Sequence, residues 1–254
     1  MQSQRLPAAG ISILIHGGLL LLAVLMASTF LLYPLELGRM PLSARAALAS
    51  LAGLLLAIGA RPFIPFKPLL SRRLLVYLLV VGLPLLSLGP WYFLVYLPTN
   101  AGEGVKGEQL ASSLITESTS NGIVEIGFAY PIYTPTISLT NSELFSREVD
   151  IYLRMLDGNN DPALFRAVRT VLPDSRLSVE ATVHGLLSES SGYLFIPIAL
   201  PPGGVVEGRV VFIISDLNDG STFDEALGRS YPAEFQIRDP ENGELLTSFP
   251  LTRI

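Results

Sequence analysis

The sequence predicts a two-part fold, three N-terminal transmembrane helices followed by an antiparallel, immunoglobulin-like β-sandwich. Three observations predict it. The first 102 residues hold one acidic side chain, Glu36, and seven Lys/Arg, a net charge of +6. The remaining 152 hold 21 acids and ten Lys/Arg, a net charge of −11. Long apolar runs fill the first part, and in the second apolar residues recur with period two, the spacing of a half-buried strand. The break in composition divides the chain into an anchor over 1–98, a linker over 99–121 and a β-domain over 122–254.

The first helix is expected at about 11–33. Ile11 to Tyr33 is 23 residues without a formal charge, enough to cross a hydrocarbon core of about 30 Å. A cleaved signal peptide has an apolar stretch of only about 7–15 residues, so this run reads as an uncleaved anchor. The second helix is expected at 41–60. Its uncharged part, Ala46 to Ala60, is 15 residues, short of the roughly 20 a span needs. Extending it to Pro41 requires Arg45 to snorkel to the interface, and a re-entrant hairpin is the rival reading. Ala46, Ala47, Ala49, Ser50, Gly53, Ala57 and Gly59 suit close packing against neighbouring helices.

The third helix, about 74–97, is interrupted by Pro84, Gly89 and Pro90. Prolines are tolerated in a span where neighbours satisfy the carbonyls they free. Trp91, Tyr92 and Tyr96 fit an aromatic belt at its far end. Lys/Arg placement sets the orientation. The N-terminus and the 61–73 loop carry Arg5, Arg61, Lys67, Arg72 and Arg73, while the 34–45 loop carries Arg39 and Arg45 with Glu36. The N-terminus is therefore expected inside the cytoplasmic (inner) membrane and the β-domain outside it, a periplasmic placement in a bacterium. The side is the same if the middle run does not span. Arg61 to Pro68 has proline at every third position, which favours a polyproline II segment, read here as a stiff turn with Phe63 and Phe66 at the interface.

Residues 99–121, rich in Gly, Ser, Thr, Asn and Glu, read as a linker with one helical turn around Gln109–Ile115. Strands follow where apolar residues alternate: Val124–Phe128, Val149–Met155, Leu177–His184, Leu194–Leu200, Glu207–Ile214 and Ala233–Ile237. Pro197 puts the fourth at a sheet edge, and the near-continuous apolar end of the fifth marks a central strand. Turn residues separate them at 157–160, 201–204 and 239–243. Residues 161–172 fit a short helix capped by Asp161-Pro162 or a strand paired with 148–156. This spacing of short strands argues for the immunoglobulin-like sandwich. The Cys…Trp…Cys core of true immunoglobulin domains is absent.

Chemistry-bearing residues are scarce. There is no cysteine, which excludes disulfides, thiolate metal sites and a cysteine nucleophile. No basic stripe suggests nucleic acid. His16 lies inside the first span beside Gly17-Gly18; an ionisable residue there is a functional candidate, and the glycines would admit a flat cofactor such as haem. The bland alternative is a neutral imidazole bonded to a neighbouring helix or water. Asp216, Asn218, Asp219, Asp224 and Glu225 crowd after a strand, the oxygen-rich composition calcium takes; the spacing departs from an EF-hand, and a solvated turn is the ordinary reading. His184 is expected on the polar face of its strand beside Glu180 and Thr182, and one histidine cannot supply a cupredoxin-type copper site or, without an elbow motif, a convincing triad.

These features favour a non-catalytic accessory or scaffold subunit whose β-domain binds other membrane-protein subunits. The alternatives are an extracytoplasmic ligand- or calcium-binding sensor, and a subunit of a membrane redox complex using His16.

Overall fold

The computed structural model describes residues 8–63, 73–115, 119–120, 125–126, 131–171, 178–190, 192–229 and 231–252. The chain divides into two compact units, Met1–Ala101 and Gly102–Ile254.

The first unit contains helices α1 (Ala8–Leu32), α2 (Pro34–Arg39) and α3 (Leu42–Ala60), and a continuous helix α4 running from Arg73 to Asn100. Three segments are long and apolar enough to cross a membrane: Ser12–Leu32, Leu42–Ala60 and Leu75–Asn100. The middle run is one unbroken helix and not a hairpin. Its 19 residues reach about 28 Å at 1.5 Å per residue. Arg45 lies near the start of α3. Its side chain is 3% exposed and folds back on the end of α2, where Nε donates to the Met40 carbonyl at 2.9 Å and the guanidinium also donates to the Gly38 carbonyl. A cation among the last carbonyls of a helix replaces the amide donors missing there.

α3 packs on both α1 and α4, and small residues set the distance. A Cβ at Gly53 would lie 2.5 Å from the Leu85 carbonyl oxygen, and one at Gly89 would lie 2.6 Å from that of Ala46. Only glycine permits backbones to approach this closely. α4 widens into π-helical turns at Leu78–Gly82 and Trp91–Tyr96, beside prolines that lack an N–H and interrupt the regular ladder. The polyproline reading of 61–68 falls mostly on residues 64–68, outside those described.

The second unit is a mixed, mainly antiparallel β-region. Its strands are β1 (Val105–Ala111), β2 (Leu114–Ile115), β3 (Thr119–Ser120), β4 (Glu125–Ile126), β5 (Ile132–Tyr133), β6 (Thr136–Asn141) and β7 (Arg147–Leu156). They continue with β8 (Pro162–Arg166), β9 (Tyr193–Leu194), β10 (Ile198–Leu200), β11 (Val205–Val210), β12 (Phe212–Ile213), β13 (Ala233–Arg238) and β14 (Leu245–Pro250). One sheet has the order β1-β6-β11-β9, and its last pair is parallel. The other has the order β10-β7-β13-β14, with β8 also paired to β7. Two smaller ladders are β12-β5-β2 and β3-β4.

Both large sheets feed one core. Ile137, Leu139 and Val210 from the first, and Ile151, Leu153, Met155, Phe235 and Ile237 from the second, are fully buried in it. The apolar end of the 207–214 run is buried on both sides, as its composition implies. Val210, Phe212 and Ile214 enter the main core, while Val211 and Ile213 join a second cluster with Ile132, Val168 and Val183.

Several expectations are corrected. The segment read as a linker contains β1, so the β-domain begins earlier than residue 122. The helical turn expected at 109–115 is the end of β1 followed by β2. The strand expected at 177–184 is not formed over its described residues, 178–184: Val179–Leu187 is helix α5, capped by the Ser178 hydroxyl accepting from the Ala181 N–H at 3.1 Å. The open choice at 161–172 resolves to a strand, β8, over Pro162–Arg166. The single strand expected at 194–200 divides at Pro197 between the two sheets, and each half lies at a sheet edge. Of the strand expected at 124–128, only Glu125–Ile126 lies among the described residues.

Candidate functional site

In the 216–225 segment the side chains of Asp219, Ser221, Thr222 and Glu225 are bonded within the domain. Thr222 caps helix α6 (Phe223–Gly228): its hydroxyl accepts from the Glu225 N–H at 3.3 Å, and the Glu225 carboxylate accepts from the Thr222 N–H at 3.1 Å. This reciprocal capping box satisfies two amides at the helix start. Asp219 accepts the hydroxyl and the N–H of Ser221 on Oδ1, and on Oδ2 the Gly158 N–H at 2.9 Å and the Tyr231 hydroxyl at 3.3 Å. Hydrogen bonds from the Ser221 hydroxyl, the Ser221 N–H and the Gly158 N–H hold the Asp219 carboxyl down at about 2. Asp216, Asn218, Asp224 and Glu225 are exposed. Among the described residues no three His, Cys, Asp or Glu side chains are grouped to hold a metal ion. Of the five calcium candidates, Glu225 is thus a cap residue and Asp219 a turn residue that ties its loop to the 157–161 turn. That turn is held in part by Asp157, which is buried and accepts from the N–H groups of Asn159 and Asp161.

His16 is half-buried on α1, and its Nδ1 donates to the Ser12 carbonyl at 2.6 Å. A carbonyl can only accept, so Nδ1 carries a proton in this contact. A Cβ on Gly17 or Gly18 would meet nothing within 4 Å, so the helix surface beside the imidazole is open. The other histidine, His184, lies on helix α5 with its ring 4.5 Å from Phe195. It is a packing residue of the second unit and not part of a polar strand face.

Sequence reasoning did not single out the sheet face that turns away from the core. Ile151, Leu153 and Met155 point inward, so Asp150, Tyr152 and Arg154 point outward, and cross-strand register sets them opposite Arg238, Gln236 and Glu234. Arg154 pairs with Glu234 at 3.3 Å, and Gln236 donates to Glu234 at 2.7 Å. Arg238 donates to Gln236 at 2.7 Å, with its guanidinium 5.3 Å from the centre of the Tyr152 ring. On β8, Leu164 (46% exposed) stands opposite Arg154, and Arg166 stands opposite Tyr152.

Burial pushes the Asp150 carboxyl above its ordinary range, against the pull of Arg166 and Arg169, and the nearby Asp239 adds to the rise. At the margin, burial would raise Glu180, but hydrogen bonds from the Arg169 side chain and N–H hold it below its ordinary value. Four of the ten basic residues beyond residue 102, namely Arg154, Arg166, Arg169 and Arg238, lie on this face or its margin. The signal was available: the polar positions 150/152/154 and 234/236/238 alternate in step with opposite charges.

No family model matches the sequence, and no curated protein matches it. Two solved structures are weakly similar. One is a candidate lipoprotein (ycdA) of Bacillus subtilis, with a TM-score of 0.31 and 10% identity over 59% of this chain. The other is the alkylpurine DNA glycosylase AlkC of Pseudomonas fluorescens, with a TM-score of 0.28 and 13% identity over 84% of this chain. The chain covers 36% of the first and 51% of the second. At these scores neither establishes a shared fold.

Proposed function

We propose that the chain is a non-catalytic accessory subunit, anchored by three helices in the cytoplasmic membrane with its N-terminus inside, whose extracytoplasmic immunoglobulin-like sandwich docks partner proteins. The sheet orders support the sandwich reading. With β1, β6, β11 and β9 as strands A, B, E and D, and β7, β13 and β14 as C, F and G, the strand order matches that of an immunoglobulin domain, with two departures: β9 runs parallel to β11, and β10 is added beyond β7. Lys/Arg placement on the anchor supports the orientation.

The observation that carries the docking role is the outward face of β8-β7-β13-β14. Arginine and tyrosine are the residues enriched where proteins meet. Here Tyr152, Arg166 and Arg238 share one sheet face with the exposed Leu164, on an otherwise acidic domain.

The test is purification of the full-length chain from its native membrane in mild detergent, alone and with Tyr152→Ala/Arg166→Glu. Stoichiometric co-purification of other membrane proteins, reduced by the double substitution, is the expected result. Recovery of this chain alone, at one copy per particle, would overturn the proposal.

A further inference from the structure

The first unit contains a trough in its apolar surface. α3 forms the floor with Ala49, Ala52 and Leu56, and α1 and α4 form the walls, among them Ala27 and Leu88. The trough encloses about 350 Å³. Where the walls reach Phe30 and Phe93 they close on each other, with ring centroids 5.5 Å apart. No lining side chain is charged, and the Tyr92 hydroxyl is the only polar side-chain group among the lining residues.

Dimensions select the occupant. The α1 wall runs from Ala23 to Phe30, about 10 Å at 1.5 Å per residue. That is only about two turns, short of the length over which a spanning helix would pack against its neighbours. A partner gripped only here would also fall far short of the roughly 800 Å² per side of a stable protein interface. Nor are the glycines offered to an incoming backbone: Gly53 already faces the Leu85 carbonyl and Gly89 that of Ala46. A slender, uncharged and flexible occupant fits. We propose that the trough holds a hydrocarbon chain of a membrane lipid, seated between α1 and α4 along α3, with its head group outside.

The experiment uses the purified full-length chain in vesicles of phosphatidylethanolamine and phosphatidylglycerol, with a trace of phospholipid bearing a diazirine on one acyl chain. The readout requires no partner protein, so its outcome is separate from that of the docking proposal. After illumination, label on peptides containing 23–30 and 49–56 should exceed several-fold that on the exposed Ile13, Leu14 and Ile15. Ala27→Phe fills the trough from an exposed position and should bring the label down to that background. Leu31→Phe, 84% exposed in the wild type and outside the lining, should leave it unchanged. Even labelling of all lipid-facing surface in the wild type would overturn the proposal whether or not the variant folds. So would undiminished label in a folded Ala27→Phe protein, or cross-links from a photoreactive residue at 27 that run to a protein helix.

Discussion

The hydroxyl of Ser50 on α3 donates to the carbonyl of Leu86 on α4 at 2.8 Å, at the position Pro90 deprives of its helical donor. A proline frees the carbonyl four residues before it, and in an apolar surround a free carbonyl is costly. The serine is held there by Gly89, whose missing side chain leaves room for Ser50 itself: a Cβ would lie 2.9 Å from both its N and its Oγ. Proline, glycine and serine on two helices thus form one arrangement.

Ser50→Ala should therefore lower stability by about 0.5–1.5 kcal/mol, the range for interhelical hydrogen bonds in membranes, read as thermal unfolding in detergent. Ser87→Ala removes a hydroxyl that bonds within its own helix, to the Pro84 carbonyl at 3.0 Å, and should cost less. Equal losses in the two variants would refute the cross-helix role.

Gly107→Ala should destabilise the β-domain. The added Cβ would lie 2.4 Å from the Phe249 ring and 3.0 Å from Ile237, and overpacking of this kind typically costs about 1–3 kcal/mol. Gly107→Ala combined with Phe249→Leu should recover part of the loss in a thermal melt of the full chain.

Asp219 sets an acid limit for its loop. Its carboxyl is held at about 2, below the ordinary value near 3.9, so the folded state favours the ionised form. The resulting stability is present above about pH 4 and is lost as pH falls toward about 2. The melting-temperature gap between wild type and Asp219→Asn should be constant near neutrality and close over that window. A gap that persists at pH 2 would count against it. Because Asp219 already accepts four donors, millimolar calcium should leave the melting temperature unchanged.

Asp150 has the opposite sign. Burial raises its carboxyl, so ionisation disfavours the folded state, and stability declines as pH rises from the unfolded value through the folded one. Asp150→Asn should melt higher than wild type at pH 7 and level with it at low pH. A lower melting temperature at pH 7 would show that its attraction to Arg166 and Arg169 outweighs burial.

The helices of the first unit were legible because lipid selects composition directly: long uncharged runs, and glycines where backbones meet. The partners of Arg45 were not legible, because the carbonyls that receive it lie at the end of α2, a turn of helix that hydropathy does not mark. β1 was hidden by its own packing. Its inward positions include Gly107, small because Phe249 fills the space, so an edge strand of the first sheet read as a linker. At 177–184 two periods coincide. Val179, Ala181 and Val183 alternate, but Val179, Val183, Leu186 and Leu187 also follow helical spacing, and Ser178 at the N-cap with Glu180 in the first turn was the deciding signal. The acids of 216–225 were visible, whereas their partner Gly158 lies 61 residues away, beyond what local spacing can reach.

The strand segment Val210–Ile214 has a consequence for how the protein is made. Five consecutive β-forming apolar residues are satisfied only when the main core takes one side and the cluster containing Val183 of α5 takes the other. Until both covers are in place, the nascent chain carries a sticky, uncharged β-segment of the kind that templates aggregation. The chain supplies flanking protection in Arg209 on one side and Asp216 on the other. The second cover comes from residues synthesised before the segment it must shield, so its protection is already at hand when 210–214 emerges.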